Sequence, residues 1–488
     1  MSKGSNKDNE GQKSKIDKNI IRVPVNNYFR YDKLKDDDFN NECSHRDDIK
    51  NIYNKGLCKS LDESDLHKFK NVNIFSFRKN INKDRNAKNI IYKVDKNENG
   101  VYYIQTGLYI GKLFLKTKSK KSITLEINSG YDKNFENHML NYASNIFFKD
   151  EFKGKGIKNN DNQSFLHTLF FMRLKKVLAI GNPVSIKRVN RKEINIKGKV
   201  NLKKYLRNEI YSDYKISTLV YGIKPEQEIV DIIYKTLFVM HKDKNTNMPI
   251  DFLKYEKELN TMYSGKNITN RTFKMAYKSK ILKNPMYSGY KGVLQIAEMI
   301  LRNKNIVLDD ENDVGISGYL IDISELWEVY LQKLLENNDE LRDYRVIAQN
   351  TYTLYKGRFY ETHNFPDILL ENRNGDIVAV LDAKFKTMTY SGKDVDREDL
   401  HQIHSYSFYQ YLNHNDKFKF SSLVYPTNVD NEKNNDNDIT SIFGLENITY
   451  APKFKILTIS IPKVNNLDEM KSKEKEFVNN LIECIEEN

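Results

Sequence analysis

Two apolar runs of strand length in FPDILLENRNGDIVAVLDAKFK (365–386) carry charges at Asp367, Asp382 and Lys384. The stretch reads as a β-hairpin. Asp367 opens one strand, Asn374-Gly375 supplies the turn, and DIVAVLDAKF is apolar enough for a strand buried on both faces. A charge in such a strand is expensive unless something pairs with it. Asp382 and Lys384 are two residues apart, so they project to one side, and Asp367 on the neighbouring strand reaches the same space. Two carboxylates and a lysine suit Mg²⁺-assisted hydrolysis of a phosphodiester, with Mn²⁺ able to substitute. Hard oxygen ligands hold the ion. The ion polarises a phosphoryl oxygen and lowers the pKa of a bound water. The lysine orients that water or offsets charge on phosphorus. The bland alternative is a structural ion pair at a strand end, because D-x-K is a common string in a chain this rich in Asp and Lys.

Further residues bear on the same chemistry. Gln402 and Tyr406 lie four apart on a helix over REDLHQIHSYSFYQYL, share one face, and are expected to line the site. Glu328, on a helix over ISELWEVYLQKLLEN capped by Asp322 or Ser324, offers a third carboxylate for the metal; the bland reading is an exposed helix glutamate. Trp327, the single tryptophan, reads as core. His401 and His404 have no recognisable Ser or Cys partner for a nucleophile–histidine scheme. The string GLYIGKLF (107–114) falls short of the phosphate-binding GxxxxGK[ST], so a motor would have to be supplied by another chain.

These residues need elements to hold them. The pattern implies a multidomain α+β protein. Residues 1–20 read as a disordered tail and 21–89 as an extension of open role. From 90 to 150 the runs NIIYKV, VYYIQTG, LYIGKLFLK and SITLEI are β-branched and aromatic, split by turns, and read as antiparallel strands; a helix over FENHMLNYASNIFF follows. Residues 151–315 read as mainly helical and basic, through SFLHTLFFMRLKKVLAI, GKVNLKKYLRN and EQEIVDIIYKTLFVM, with a short helix at 291–301. Residues 316–488 hold the hairpin, further strands at YRVIAQN, FSSLVYP and FKILTISIP, a polar loop at 430–439 and a C-terminal helix.

With 488 residues the chain exceeds one ordinary core. Hydrophobic residues at 39% can build cores, while 30% charge and a mean hydropathy of −0.69 exclude an integral membrane class. No apolar run spans a bilayer, the polar start is no secretory signal, and three scattered cysteines exclude a disulfide framework. A prokaryotic cytoplasm fits. The net charge of +13 is spread unevenly. Residues 173–216 carry 13 Lys or Arg against 3 acids, and 266–291 carry 7 against none, interleaved with Phe273, Tyr277, Tyr287 and Tyr290. Such segments suit double-stranded DNA, the cations facing phosphates and the aromatics stacking on bases or packing beneath the backbone; a solvated helix face in a Lys-rich chain is the alternative.

PDILL…AVLDAKFK, then HQIHSY, then LVYP, resembles the C-terminal nuclease domain of McrC, the cleavage subunit of 5-methylcytosine-specific, LlaJI-like McrBC restriction systems, in the PD-(D/E)xK superfamily. GYLIDISELWEVYLQKLL resembles the family's Leu-aromatic-Glu helix and places Glu328 at its glutamate. IKGKVNLKKYL, YIQTGLYIGKL and NHMLNYASNIF resemble segments upstream, so the likeness spans about residues 90 to 463. Asp231 stands where the family has asparagine, and residues 1–89 extend beyond the usual start. The resemblance implies an α/β nuclease domain around a central mixed sheet at 316–488. It also implies a hetero-oligomeric AAA+ GTPase partner of McrB type, docked through residues 90–150 and stimulated by this chain. The competing classes are a non-catalytic activator of such a motor and a stand-alone repair nuclease of the same superfamily.

Overall fold

The computed structural model describes residues 20–26, 28–30, 52, 60–62, 71–75, 90–96, 98, 102–116, 122–144, 163–194, 196–203, 215–242, 248, 250–303, 316–348, 350–356, 361–386, 395–428, 452–462 and 467–486. Most of the 1–20 tail and the 430–439 loop lie outside them. Two compact units emerge, one from Met1–Phe135 with Asp313–Asn488, the other from Glu136–Asn312. In chain order the first stretch supplies β1 (Ile20–Pro24), β2 (Tyr28–Arg30), β3 (Ser60–Asp62), β4 (Asn71–Phe75), β5 (Ile90–Lys96), β6 (Tyr102–Thr106), β7 (Tyr109–Lys116), β8 (Ser122–Asn128) and α1 (Lys133–Ser144), which runs across the division. Then come α2 (Gln163–Leu178), β9 (Val184–Glu193), β10 (Lys199–Val200), β11 (Ile216–Pro225), α3 (Gln227–Lys242), α4 (Ile250–Met262), α5 (Asn270–Tyr277) and α6 (Tyr290–Asn303). The last stretch holds β12 (Ile316–Asp322), α7 (Ile323–Glu336), β13 (Tyr344–Ala348), β14 (Tyr352–Lys356), β15 (Glu361–Asn364), β16 (Ile368–Asn372), β17 (Ile377–Ala383), α8 (Arg397–His414), β18 (Phe420–Asn428), β19 (Lys453–Ile461) and α9 (Leu467–Glu486).

The β-rich runs after residue 90 form strands, but they divide between sheets. β5 and β6 belong to the order β2-β6-β5-β3, while β7 and β8 belong to β1-β8-β7-β12-β4. The second sheet joins the chain's early part to its late part, because β12 pairs antiparallel with β7. Glycine permits this pairing. Gly111 (φ +146°) faces Leu320 and Gly318 (φ +148°) faces Leu113. A Cβ would stand 2.1 Å from the Tyr319 carbonyl oxygen at Gly111 and 2.1 Å from that of Lys112 at Gly318. The Gly111-Lys112 pair in GLYIGKLF is thus a strand-packing feature. Residues 90–128 and the hairpin region therefore share one compact unit.

A third sheet in this unit has the order β13-β16-β17-β18-β19. β13, β16 and β17 are antiparallel; β17, β18 and β19 are parallel. The 373–376 turn forms around Asn372, whose Oδ1 accepts from the amides of Asn374 and Asp376, with Gly375 at φ +86°. Every residue of β17 is buried. Ile377, Val378, Val380 and Leu381 each contribute about 1.5–3 kcal/mol of burial, together more than the several kcal/mol that Asp382 opposes. Ile403 and Tyr406 of α8 pack on Leu369, Val380, Leu423 and Tyr425. α8 is the crossover between parallel neighbours, so its N-terminal turn lies at the carboxyl end of β17.

The other unit is helical for the most part and also holds a small sheet. Helices α2 to α6 are joined by a sheet of order β10-β11-β9, whose two longer strands pair over ten residues. Lys199–Val200, within the expected helix GKVNLKKYLRN, is a strand entered through Gly198 at φ +89°. Asp231, buried on α3, accepts from Gln227 Nε2, Ser264 N and Ser264 Oγ, so it ties the loop after α4 to α3.

Candidate active site

Asp367 immediately precedes β16, after Pro366, and its Oδ2 accepts from the Ala383 amide at 2.9 Å. That bond fixes it beside the end of β17. Asp382 is the penultimate residue of β17, on the same side as Val380 and so facing α8. Lys384 follows the strand, its own amide still donating to the Val424 carbonyl at 2.9 Å. Its Nζ lies 2.8 Å from Asp382 Oδ2 and donates to Gln402 Oε1 at 2.8 Å. The Lys384–Asp382 approach is off hydrogen-bond alignment, which leaves Asp382 Oδ2 buried without a hydrogen-bond partner.

Gln402 relays this contact along α8. Its Nε2 donates to the Tyr406 hydroxyl at 2.7 Å, which donates to the Phe365 carbonyl at 3.2 Å. The i, i+4 spacing seen in the sequence is thus the spacing of a hydrogen-bonded chain from Lys384 to the backbone before Asp367.

Burial pushes the Asp382 carboxyl up to about 8; the Asp367 charge adds to the rise, and Lys384 opposes it. Burial pulls the Lys384 ammonium down, but Asp382, with Asp367 and Asp399, more than reverses this and holds it above the ordinary lysine range. The Tyr406 phenol is raised by burial and then by the Asp382 charge.

Asp399 and Lys386 also reach this end of β17, and neither stands out in the sequence. Asp399 Oδ1 is 3.6 Å from Lys384 Nζ, and Lys386 Nζ bridges Asp399 Oδ2 and Asp396 Oδ2, each at 2.5 Å. The signal for them was a pair of spacings. Asp382, Lys384 and Lys386 alternate along the strand exit, while Asp396, Asp399, Gln402 and Tyr406 follow one stripe of α8.

Glu328 lies half-buried on α7 beside Trp327. Asp322 is the residue that caps this helix, accepting from the Glu325 amide at 3.2 Å. Trp327 is core, as its residue type suggests: fully buried, its Nε1 donates to the Val424 carbonyl at 3.2 Å. Among the described residues no three His, Cys, Asp or Glu side chains are gathered as metal ligands. The donor set still fits a hard divalent cation. Asp367 and Asp382 are oxygen donors, Asp382 Oδ2 is orphaned, and with Asp382 ionised four aspartates face two lysines, leaving two negative charges for a cation to cancel.

The basic segments read differently in three dimensions. Arg271, Lys266, Lys274, Lys278, Lys280, Lys283 and Lys291 are all exposed. Phe273 and Tyr290, expected to stack on bases, are core residues, Tyr290 donating to the Gly181 carbonyl. Tyr277 donates to Glu298. On the β9–β11 face Arg188 Nε donates to the exposed Tyr221 hydroxyl at 3.0 Å. Among the described residues no helix is long and apolar enough to cross a membrane.

The McrBC 5-methylcytosine restriction system component family matches residues 104–426. No curated protein matches the chain. Among solved structures it is similar to a chain of the refined half-complex from the tetradecameric assembly of Thermococcus gammatolerans McrB AAA+ hexamers with bound McrC. Identity is 15% and the TM-score 0.50, over 95% of this chain and 100% of that one. A looser likeness, at 16% identity and TM-score 0.32, joins 67% of this chain to 89% of a chain in the cryo-EM structure of the Thermococcus gammatolerans McrBC complex. At this identity the first likeness is one of fold.

Proposed function

The chain belongs to the McrBC 5-methylcytosine restriction system component family, and from that premise we propose that it is the DNA-cutting subunit of a nucleotide-driven restriction complex. The reading is a PD-(D/E)xK endonuclease, hydrolysing DNA phosphodiesters with Mg²⁺. One observation carries it: Asp367, Asp382 and Lys384 converge at the carboxyl end of a fully buried strand, with Lys384 bonded to Gln402.

Asp367 and Asp382 would hold the metal, which when bound supplies Lewis-acid activation of phosphate and water. Lys384, kept charged by its aspartates, stabilises negative charge on the phosphate or orients the attacking water. Gln402 and Tyr406 hold that ammonium in place. The apolar surround, from Val380 to Ile403, keeps these charges strong by excluding water. Glu328 is retained as an outer carboxylate of the site. Exposed lysines of 173–216 and 266–291 meet DNA phosphates. The sequence holds no phosphate-loop motif, so a partner akin to the McrB AAA+ hexamers of the similar assembly supplies the nucleotide-driven motor, with GTP as the expected nucleotide. This chain docks on it and raises its turnover.

The test combines the full-length chain, its cognate ring partner, GTP and methylated duplex DNA, following nicking and GTP hydrolysis side by side. Cutting should need Mg²⁺ or Mn²⁺, fail in Ca²⁺ or EDTA, and fail in Lys384→Met while GTP hydrolysis stays stimulated. Full cutting in EDTA refutes the metal reading. Stimulation without any wild-type cutting favours a non-catalytic activator. Efficient cutting without the partner favours a stand-alone repair nuclease.

A further inference from the structure

We propose that Lys386 and Asp399 are positioning residues that keep one hydrogen of the Lys384 ammonium free for the substrate, an inference that rests on the nuclease reading above. An ammonium has three hydrogens to donate. Among the described residues Lys384 Nζ has two close oxygens, Asp382 Oδ2 and Gln402 Oε1, both at 2.8 Å. Its second ion-pair partner is Asp399 Oδ1, at 3.6 Å. That distance is too long for a hydrogen bond but short enough for a strong attraction in a buried setting. Asp399 therefore favours the charged, correctly placed lysine without taking a donor beyond the one given to Gln402.

What keeps Asp399 from closing the gap is Lys386. Its Nζ holds Asp399 Oδ2 at 2.5 Å and anchors the other way on Asp396 Oδ2, also at 2.5 Å. Charge-assisted hydrogen bonds are roughly twice as strong as neutral ones. Lys386 is itself two residues beyond Lys384, so the strand exit that carries the reactive lysine also carries the group that restrains its neighbour. Asp399 sits in the first turn of α8, where the helix end favours a carboxylate. Removing Lys386 frees Asp399 to move onto Lys384 and take a hydrogen that would otherwise face the substrate.

The two residues should thus be coupled in a way a simple strut would not be. In the full-length chain with its ring partner, Lys386→Met should lower kcat on the order of 10- to 100-fold, with KM for DNA and the Mg²⁺ requirement unchanged. Lys386→Arg should restore cutting to within a few-fold. Asp399→Asn added to Lys386→Met should recover part of the lost rate, because the amide no longer captures Lys384 as a carboxylate does. Trp327 fluorescence reports whether each variant is folded. Unchanged kcat in Lys386→Met overturns the proposal, as does a double variant no faster than the single one. Should Lys386→Met fail to fold, Lys386→Gln takes its place; if that also unfolds, the pair is a structural strut and the proposal falls. A wild type that cuts under no condition brings down the nuclease reading as well, whereas a cutting wild type with indifferent variants brings down this inference alone.

Discussion

Asp382→Asn should make the protein more stable at mildly alkaline pH while abolishing cleavage. Asp382 is 1% exposed, and its carboxyl is pushed up to about 8, from 3.8 for an unperturbed aspartate, by burial and by Asp367. For an acid whose folded pKa is raised, the folded state holds the proton where the unfolded chain has already lost it. Stability is then highest below the unfolded value and falls as pH rises, until it levels off above about 8. Each pH unit in that window is worth about 1.4 kcal/mol, so the ionised site opposes folding by several kcal/mol near the top of it. Asparagine removes the ionisation and keeps the shape. The gain should shift Tm upward by roughly 5 °C or more in the alkaline arm and vanish in the acid arm. Trp327 suits the assay. It is the single tryptophan, fully buried, with its ring 6.1 Å from that of Phe385, so its fluorescence follows the unit that holds the site. Melts run across pH with EDTA should show the two proteins diverging as pH rises. Adding Mg²⁺ at the alkaline end should stabilise the wild type and leave the variant unmoved, since metal replaces the proton on the pair. A Tm difference that ignores pH, or a variant less stable than wild type at the alkaline end, would refute the assignment of a strained, proton-holding carboxylate.

Two further outcomes follow from other parts of the chain. Gly318→Ala should destabilise the first unit by about 3 kcal/mol or more, because a Cβ there meets the Lys112 carbonyl oxygen at 2.1 Å and the φ of +148° is itself unfavourable; a Tm within a degree of wild type by Trp327 fluorescence would contradict the tight β7–β12 pairing. Neutralising Lys274, Lys278 and Lys280 together should lower the slope of log affinity against log salt for duplex DNA, by about 1 for each phosphate that no longer meets a cation, and an unchanged slope would leave them as solvated surface.

The hairpin at 365–386 was legible because local signals agreed: an apolar run of strand length, a turn, and charges that such a strand would not carry without a partner. The helix bearing Gln402 and Tyr406 was legible for the same reason. Lys386, Asp396 and Asp399 were not. In a chain with 30% charged residues they look like ordinary surface, and their part is fixed by a crossover that returns the start of α8 to the end of β17. Strands β9 and β11 were hidden by cations placed within their alternation, as in VSIKRVNRKE. The aromatics of 266–291 misled in the opposite sense: Phe273 pairs with Ala276, and Tyr290 with Val293, Leu294 and Ala297, at helical spacings that mark a buried face, although lysines stand beside them in sequence.

The union of Met1–Phe135 with Asp313–Asn488 changes how docking and chemistry can be separated. β12 lies between β7 and β4 and runs straight into α7, where the Ile323 amide donates to the Leu108 carbonyl. Tyr131 donates to the Pro426 carbonyl at 2.9 Å and its ring lies 5.7 Å from that of Phe385; Phe135 packs edge-on against Trp327. These contacts hold the helix and the strand end that carry Trp327, Val424 and Lys384. A chain lacking residues 1–150 would lose β7, β8 and Phe135 together. It would lose β4 as well, leave both edges of β12 unpaired and open the core behind the site. Loss of cutting in such a truncation would therefore say nothing about partner docking. The two roles separate only through substitutions that leave β7 and β12 paired, exposed side chains of the early strands for docking and Lys384 for cleavage, measured as GTP turnover and nicking on the same preparation.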